Sequence, residues 1–273
     1  MLRRFVLASS LAALLAAVMA SSSSASVTIG QVVPAPVGCA DNNDWAQTSV
    51  ASGTSYTVPG TGTITSWSHQ AGGGSGQTMK MKIWRQVAGL SYTQVGHDGP
   101  RTLTPSFLNT FPTSIPVKPG DILGFHSGAS VSACLSAITT GDSALGDFGD
   151  TVDGEQEDFP STFLRHLNIT AVFNPSNTFT LGAVTRNKKK GTAMMTVNVP
   201  NAGELTGSGK GATVISKTVS GAGDAQLMIK AKGKKKRKLI QTGSVKVTVN
   251  VTFTPAGGDP STQSRKLKLK RNP

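Results

Sequence analysis

Residues 245–253 read VKVTVNVTF. Val245, Val247, Val249, Val251 and Phe253 alternate with Lys246, Thr248, Asn250 and Thr252, so every second side chain is apolar. A period of two marks a strand with one face in a core and the other in water. The β-branched residues in both sets favour the extended backbone. The same pattern recurs upstream in Ala225, Leu227, Ile229 and Ala231, in Ala193, Met195, Val197 and Val199, and in Phe179, Leu181 and Ala183. Weaker runs at 203–207 and 212–219 and the final Lys266-Leu267-Lys268-Leu269-Lys270 complete seven strands over 175–273. That is the strand count of an immunoglobulin-like β-sandwich. The buried Trp and Cys pair of antibody domains is missing, so the likeness is one of architecture.

Working outward, residues 27–174 are also strand-rich. Met79, Met81 and Ile83 alternate with Lys80, Lys82 and Trp84, and Leu167, Ile169, Ala171 and Phe173 with Asn168, Thr170 and Val172. Short runs at 56–58, 63–65, 115–117 and 121–125 are separated by turn signals at Pro59-Gly60, Asp98-Gly99 and Pro119-Gly120. Many short strands at this spacing predict a second β-sandwich, of jelly-roll type. The expected fold class is therefore all-β: a jelly-roll-like sandwich over 27–174, a short linker at Asn174-Pro175-Ser176-Asn177, and a seven-strand immunoglobulin-like sandwich over 175–273.

The chain opens on Arg3 and Arg4, an uncharged apolar stretch from Phe5 to Ala20, and small residues from Ser21 to Ser26. Residues 1–26 read as a secretory signal cleaved after Ala25 or Ser26, the apolar stretch being short for a membrane span. No second apolar stretch follows, so the mature chain is expected to lack a transmembrane segment and to be released or held non-covalently at the cell envelope. In an oxidising compartment Cys39 and Cys134, the only cysteines, are expected to pair.

Charge divides the chain in the same place as the strand series. Residues 27–174 carry 6 Lys/Arg and 11 Asp/Glu, whereas 175–273 carry 19 Lys/Arg and 3 Asp/Glu. Opposite balances of −5 and +16 predict two domains with different surroundings.

The runs GTITSWSHQAG (62–72), KIWR (82–85), IPVKPGDILGFHSG (115–128) and ACL (133–135) resemble the N-terminal domain of uncharacterised secreted proteins of soil actinobacteria. TRNKKKGTA (185–193), NVPNAGELTGSGKG (198–211) and VTFTPAGGDPSTQSRKLKLK (251–270) resemble an immunoglobulin-like module at the ends of such proteins. The resemblance spans most of the mature chain. It implies a secreted or envelope-associated protein and brings no catalytic residues. Relatives often carry calcium-binding acidic repeats between the two domains, which this chain lacks.

Motifs for catalysis are missing from the residues themselves. His69, His97, His126 and His166 lack zinc-ligand spacing, and there is neither a Gly-x-Ser-x-Gly elbow nor a phosphate-binding Gly-rich loop. Asp142 to Asp158 holds seven of the fourteen carboxylates, and Asp150, Asp153 and Glu155 have roughly the alternate spacing of calcium ligands. The competing reading is a solvated acidic loop, with no cofactor at all. Lysine blocks at Arg186 to Lys190, Lys232 to Lys238 and Arg265 to Arg271 are expected in turns or at strand ends. If successive strands run between opposite ends of the sandwich, Lys188, Lys189, Lys190, Lys210, Lys234, Lys235, Lys236, Arg237 and Lys238 gather at one end, with Glu204, Asp224 and Asp259 at the other. The expected function is a non-enzymatic, envelope-associated or adhesive binding protein whose basic end contacts anionic polymer without reading a specific nucleic acid. The alternative is a carbohydrate-binding or glycan-active protein, which would need Trp45, Trp67 or Trp84 as exposed stacking platforms. A third reading is a purely structural protein with no saturable ligand.

Overall fold

A computed structural model of the chain describes residues 26–32, 35, 37–129 and 131–272. The expected secretory signal lies outside the described residues, save Ser26. The first part of the chain forms β1 (Val27–Gln31), β2 (Asn43–Ser49), β3 (Gly62–Gln70), β4 (Thr78–Ala88), β5 (Ser91–Thr102) and β6 (Leu108–Val117). It continues with β7 (Ile122–Ala129), β8 (Ser143–Phe148), β9 (Gln156–Asp158), β10 (Ser161–Phe163) and β11 (Ile169–Pro175).

One sheet has the order β1-β11-β3-β6 and the other β10-β8-β2-β7-β4-β5-β9, and the pairs are antiparallel. With β1 to β7 and β11 taken as eight principal strands, the sheets read 1-8-3-6 and 2-7-4-5. That is the order of Greek keys wrapped into a jelly roll. Its core holds Met79, Met81 and Ile83 of β4 and Ile169, Ala171 and Phe173 of β11, each in the expected alternation. Cys39 and Cys134 are joined, with their Cα atoms 5.5 Å apart, closing a loop of 95 residues beside the backbone bond from Cys134 N–H to Val37 O. Asp98-Gly99, expected as a turn, lies instead inside β5 at a shift in its register with β4. Asp98 turns inward there, and its Oδ2 accepts from Trp67 Nε1 at 2.7 Å and Arg101 Nε at 3.0 Å.

The second part of the chain forms β12 (Thr180–Asn187), β13 (Thr192–Val199), β14 (Gly203–Ser208), β15 (Ala212–Val214), β16 (Lys217–Val219) and β17 (Gly223–Ala231). The helix α1 (Gly233–Thr242) and strands β18 (Ser244–Pro255) and β19 (Ser261–Lys270) follow. The sheets are β12-β13-β17-β15 and β16-β14-β18-β19. The run 212–219 is split, because the chain crosses between sheets at Ile215 and Ser216; the seven expected strands are therefore eight. If β15 and β16 count as one strand that changes sheets, the order is that of an immunoglobulin-like sandwich. Val245, Val247, Val249, Val251 and Phe253 all point into its core. Ala183 does not: a register shift between Leu181 and Val184 turns it outward, and Val184 packs against the core in its place.

The sandwiches share no strand, and Asn201 ties them at the linker. Its Nδ2 donates to Thr61 O at 2.9 Å and Ser176 O at 2.8 Å, and its Oδ1 accepts from Thr61 N–H at 2.7 Å. A buried amide with both ends bonded holds its neighbours in one geometry.

His69 on β3 is buried, with Nδ1 2.6 Å from the carbonyl of Asn168 and Nε2 unpartnered. Burial pulls its pKa from 6.5 down to about 4, against that hydrogen bond. The unfolded chain thus takes up a proton near pH 6.5 that the folded chain refuses until about pH 4. Stability is full above pH 6.5 and is expected to fall by about 3 kcal/mol as the pH drops through that window. Urea unfolding at pH 7 and pH 4.5 checks it, and His69→Gln should flatten that part of the profile.

Candidate functional site

Two charged regions stand out, and the structure gives them different characters. The first is the acidic segment from Asp142 to Asp158. Lys80, Lys82 and Trp84 point to the outer face of the seven-stranded sheet, where alternation puts polar side chains in water. The segment between β8 and β10 folds over that face as a strap. Phe159 packs edge-on against Trp84 at 5.1 Å and near Tyr92 at 6.0 Å, making a small second core with Ala46, Ile122 and Leu145. Lys82 is fully buried beneath the strap. Its Nζ lies 2.6 and 2.7 Å from the two oxygens of Asp44, 3.0 Å from Asp150 Oδ1 and 2.8 Å from Thr151 O. Asp44 also accepts from Thr151 N–H at 2.9 Å and lies 3.0 Å from His126 Nδ1.

Two of the three calcium candidates are therefore engaged elsewhere. Asp150 pairs with Lys80 and Lys82. Burial pushes its pKa up, but the hydrogen bonds from the two lysines outweigh that and hold the carboxyl below its ordinary range. Asp153 accepts from Gln94 Nε2 at 2.7 Å and lies 3.0 Å from His97 Nδ1, while the Glu155 side chain faces solvent. Among the described residues the one group spaced to hold a metal is Asp44, His126 and Asp150. The Lys82 ammonium already sits against both of its carboxylates, as a cation would. Much of the acidic segment is bonded to its surroundings and is not a freely solvated loop: Asp150 answers Lys80 and Lys82, Asp142 lies against His166, Asp153 against Gln94 and His97, and Asp158 accepts from Ser91.

The second region is the basic end of the second sandwich. The turn carrying Lys188 to Lys190, the turn with Lys210, α1 and the chain end all lie there. Asn272 N–H donates to Lys188 O and Lys232 N–H to Gly211 O, both at 2.9 Å. The Lys235 side chain lies against Gly211, which has φ +80° and no room for a Cβ. Glu204, Asp224 and Asp259 belong to the opposite end, near Asn201.

Lys234 to Lys238, from the block Lys232 to Lys238 expected in a turn or at a strand end, lie instead in the helix α1. Residues 234–242 contain no Gly or Pro, and the long unbranched side chains of 234–238 and Gln241, with Leu239, favour helix. Leu239 anchors it in the core, and Gly243 closes it in the left-handed conformation with its N–H on Leu239 O at 3.0 Å. The apolar period that would have revealed it is missing, because one leucine does the anchoring. Its first turn is lysine-rich and has no acid, opposing the helix dipole, which favours carboxylates there. Lys266 to Lys270, expected as the last strand, lie with Arg265 in the edge strand β19. There Lys268 stands directly opposite Lys246 of β18, and like charges across strands repel.

These placements converge on a groove of about 560 Å³ lined by Lys210, Lys235, Lys246, Lys266 and Lys268 with Val247, Thr248 and Leu267. No carboxylate lines it. The periodicity of 245–270 contained Lys246, Lys266 and Lys268 as outward positions, yet only the β18–β19 register shows that Lys246 faces Lys268, with Lys266 one pair further along opposite Thr248. Arg265, by contrast, points inward and binds the carbonyls of Leu181 and Gly182, joining the two sheets. The tryptophans form no platform: Trp45, Trp67 and Trp84 are all buried. No helix among the described residues is long and apolar enough to cross a membrane.

Comparison with known proteins adds no relative to this geometry: no family model, curated protein or solved structure matches the chain.

The Lys82 cluster makes a sharp expectation. Lys82→Met should destabilise the protein by about 3–5 kcal/mol, because it strands the buried Asp44 carboxylate. Lys80→Met, at a partly exposed pair, should cost under about 1 kcal/mol. Millimolar calcium should leave the melting temperature of the wild-type protein unchanged. Denaturant titration and calorimetry check all three.

Proposed function

We propose that this is a secreted, non-enzymatic binding protein that attaches to an anionic polymer of the cell envelope through the basic end of its second sandwich. The first sandwich is carried as a separate domain. One observation carries the reading: Lys246 and Lys268 face each other on β18 and β19 and share a groove with Lys210, Lys235 and Lys266. Solubility needs cations spread over the surface, whereas these are gathered where each raises the energy of the next. A polyanion relieves that repulsion, and the released counterions add to its affinity. The basic–apolar–serine start of the chain, the Cys39–Cys134 bond and the resemblance to secreted actinobacterial proteins support export. The lysines form an extended charge pattern with no aromatic side chain among them to stack on a base or a sugar ring, so the expected ligand is a polyphosphate or polycarboxylate recognised by charge density.

The test is retention on immobilised polyphosphate and on isolated envelope fractions as salt is raised. Lys246→Thr with Lys268→Thr should lower the salt concentration at which the protein elutes. The same change should raise stability slightly, by roughly 0.2–1 kcal/mol, since it removes a cross-strand repulsion. Replacing Lys188 to Lys190 and Lys234 to Lys236 with serine should abolish retention. Retention that survives these changes and high salt overturns the reading.

A further inference from the structure

Beside the lysine groove, on the other side of α1, lies a second depression of about 520 Å³. It runs between the helix and the outer face of β13 and β17. That face is otherwise polar, and its cross-strand neighbours are hydrogen-bonded: Asn198 Nδ2 donates to Asp224 at 2.8 Å, and Gln226 Nε2 to Thr196 Oγ1 at 2.8 Å. One step nearer the basic end the register places Met194 opposite Met228, both half-exposed. Two adjacent methionines on the outside of a sheet give an adaptable apolar floor. Across from them α1 contributes Ile240, 53 % exposed on a helix otherwise dominated by lysine. The rim is cationic, formed by Lys190, Lys230, Lys236 and Arg271.

An apolar floor inside a cationic rim complements one chemistry, an alkyl chain ending in an anionic head. We infer that this groove binds a single anionic amphiphile, its chain lying along Met194, Met228 and Ile240 and its phosphate held by Lys190, Lys236 and Arg271. The inference rests on the reading of this end as the attachment surface and refines it. The lysine groove takes the repeating charge of a polymer, while the methionine groove takes an acylated phosphate. The volume lies in the range of small-molecule sites. The mode differs from that of a helix dipping into a bilayer, because the apolar surface is a depression rather than a projecting face.

The experiment titrates the mature protein with butyl, hexyl and octyl phosphate below their micelle concentrations, in phosphate-free buffer, alongside retention on polyphosphate. Affinity should rise about fourfold per methylene that enters the groove, with one-to-one saturation. Octanol, lacking the phosphate, should bind at least tenfold more weakly than octyl phosphate. Met228→Gln and, separately, the exposed-site change Ile240→Ser should flatten the chain-length dependence while leaving polyphosphate retention and melting temperature unchanged. An affinity independent of chain length, or a chain-length gain that persists in both variants, overturns the inference. So does binding to phosphatidylglycerol vesicles without binding to octyl phosphate, which would mark a membrane surface as the partner. Loss of the chain-length effect with polyphosphate retention intact leaves the polymer reading standing, so the two fail separately.

Discussion

In an antiparallel sandwich each strand returns the chain to the opposite end, so the order of connections decides which end a residue occupies. In the second sandwich this constraint governs the distribution of charge. With β15 and β16 counted as one strand, its first, third and fifth connections and the chain end carry lysine and arginine, and Glu204, Asp224 and Asp259 lie in or beside the intervening ones. Strand order within the sheets is that of a Greek key, yet the alternation of ends survives, because each connection still joins the end of one strand to the start of the next. The basic end therefore follows from connectivity and is not an accident of which strands are neighbours. What connectivity does not dictate is the facing of Lys246 and Lys268 or the lysines in the first turn of α1. Both oppose the stability of the elements that carry them, and that opposition is why they read as a binding surface.

The first sandwich shows the reverse arrangement, with charge neutralised inside the protein. Its strap between β8 and β10 buries the outer face of the large sheet, and a lysine buried there needs carboxylates around it. Lys82 has Asp44 beside it in the sheet and Asp150 above it in the strap, so the pair of charges also fixes where the strap lies. Trp84 and Phe159 fill the apolar remainder of the same layer. Asp150, at the middle of the acidic run, is thus explained from below, by the cations of β4.

Much of this was legible in the residues. The alternation in 79–83, 167–173 and 245–253 gave the core faces of β4, β11 and β18, because the period of a half-buried strand is hard to mimic. The two cysteines and the gathering of lysines at one end were readable too. Four features were not. The helix α1 has one buried residue, so no apolar period announced it. The strap hid because Lys82 and Trp84 occupy outward positions, and alternation says which way a side chain points, not what lies beyond it. The methionine pair of the second groove needed the register of β13 against β17, a relation between segments far apart in the chain. Asp98-Gly99 looked like a turn because local propensity favours one there, but pairing with β4 overrode it.

Asn201 bears on a different question, that of posture. Its amide clasps Thr61 and Ser176, so the junction is a hydrogen-bonded joint with little slack and not a tether. The charged tip of the second sandwich lies at its far end, away from that joint. A protein moored by that tip would stand upright on its support, with the jelly roll as the distal head. Its loops would be offered outward at a fixed height and angle. A loose tether would let the head fold down toward the same surface and sample it. Held upright instead, the second sandwich would serve as a pedestal, and what the head met would be whatever approached from the side of the medium.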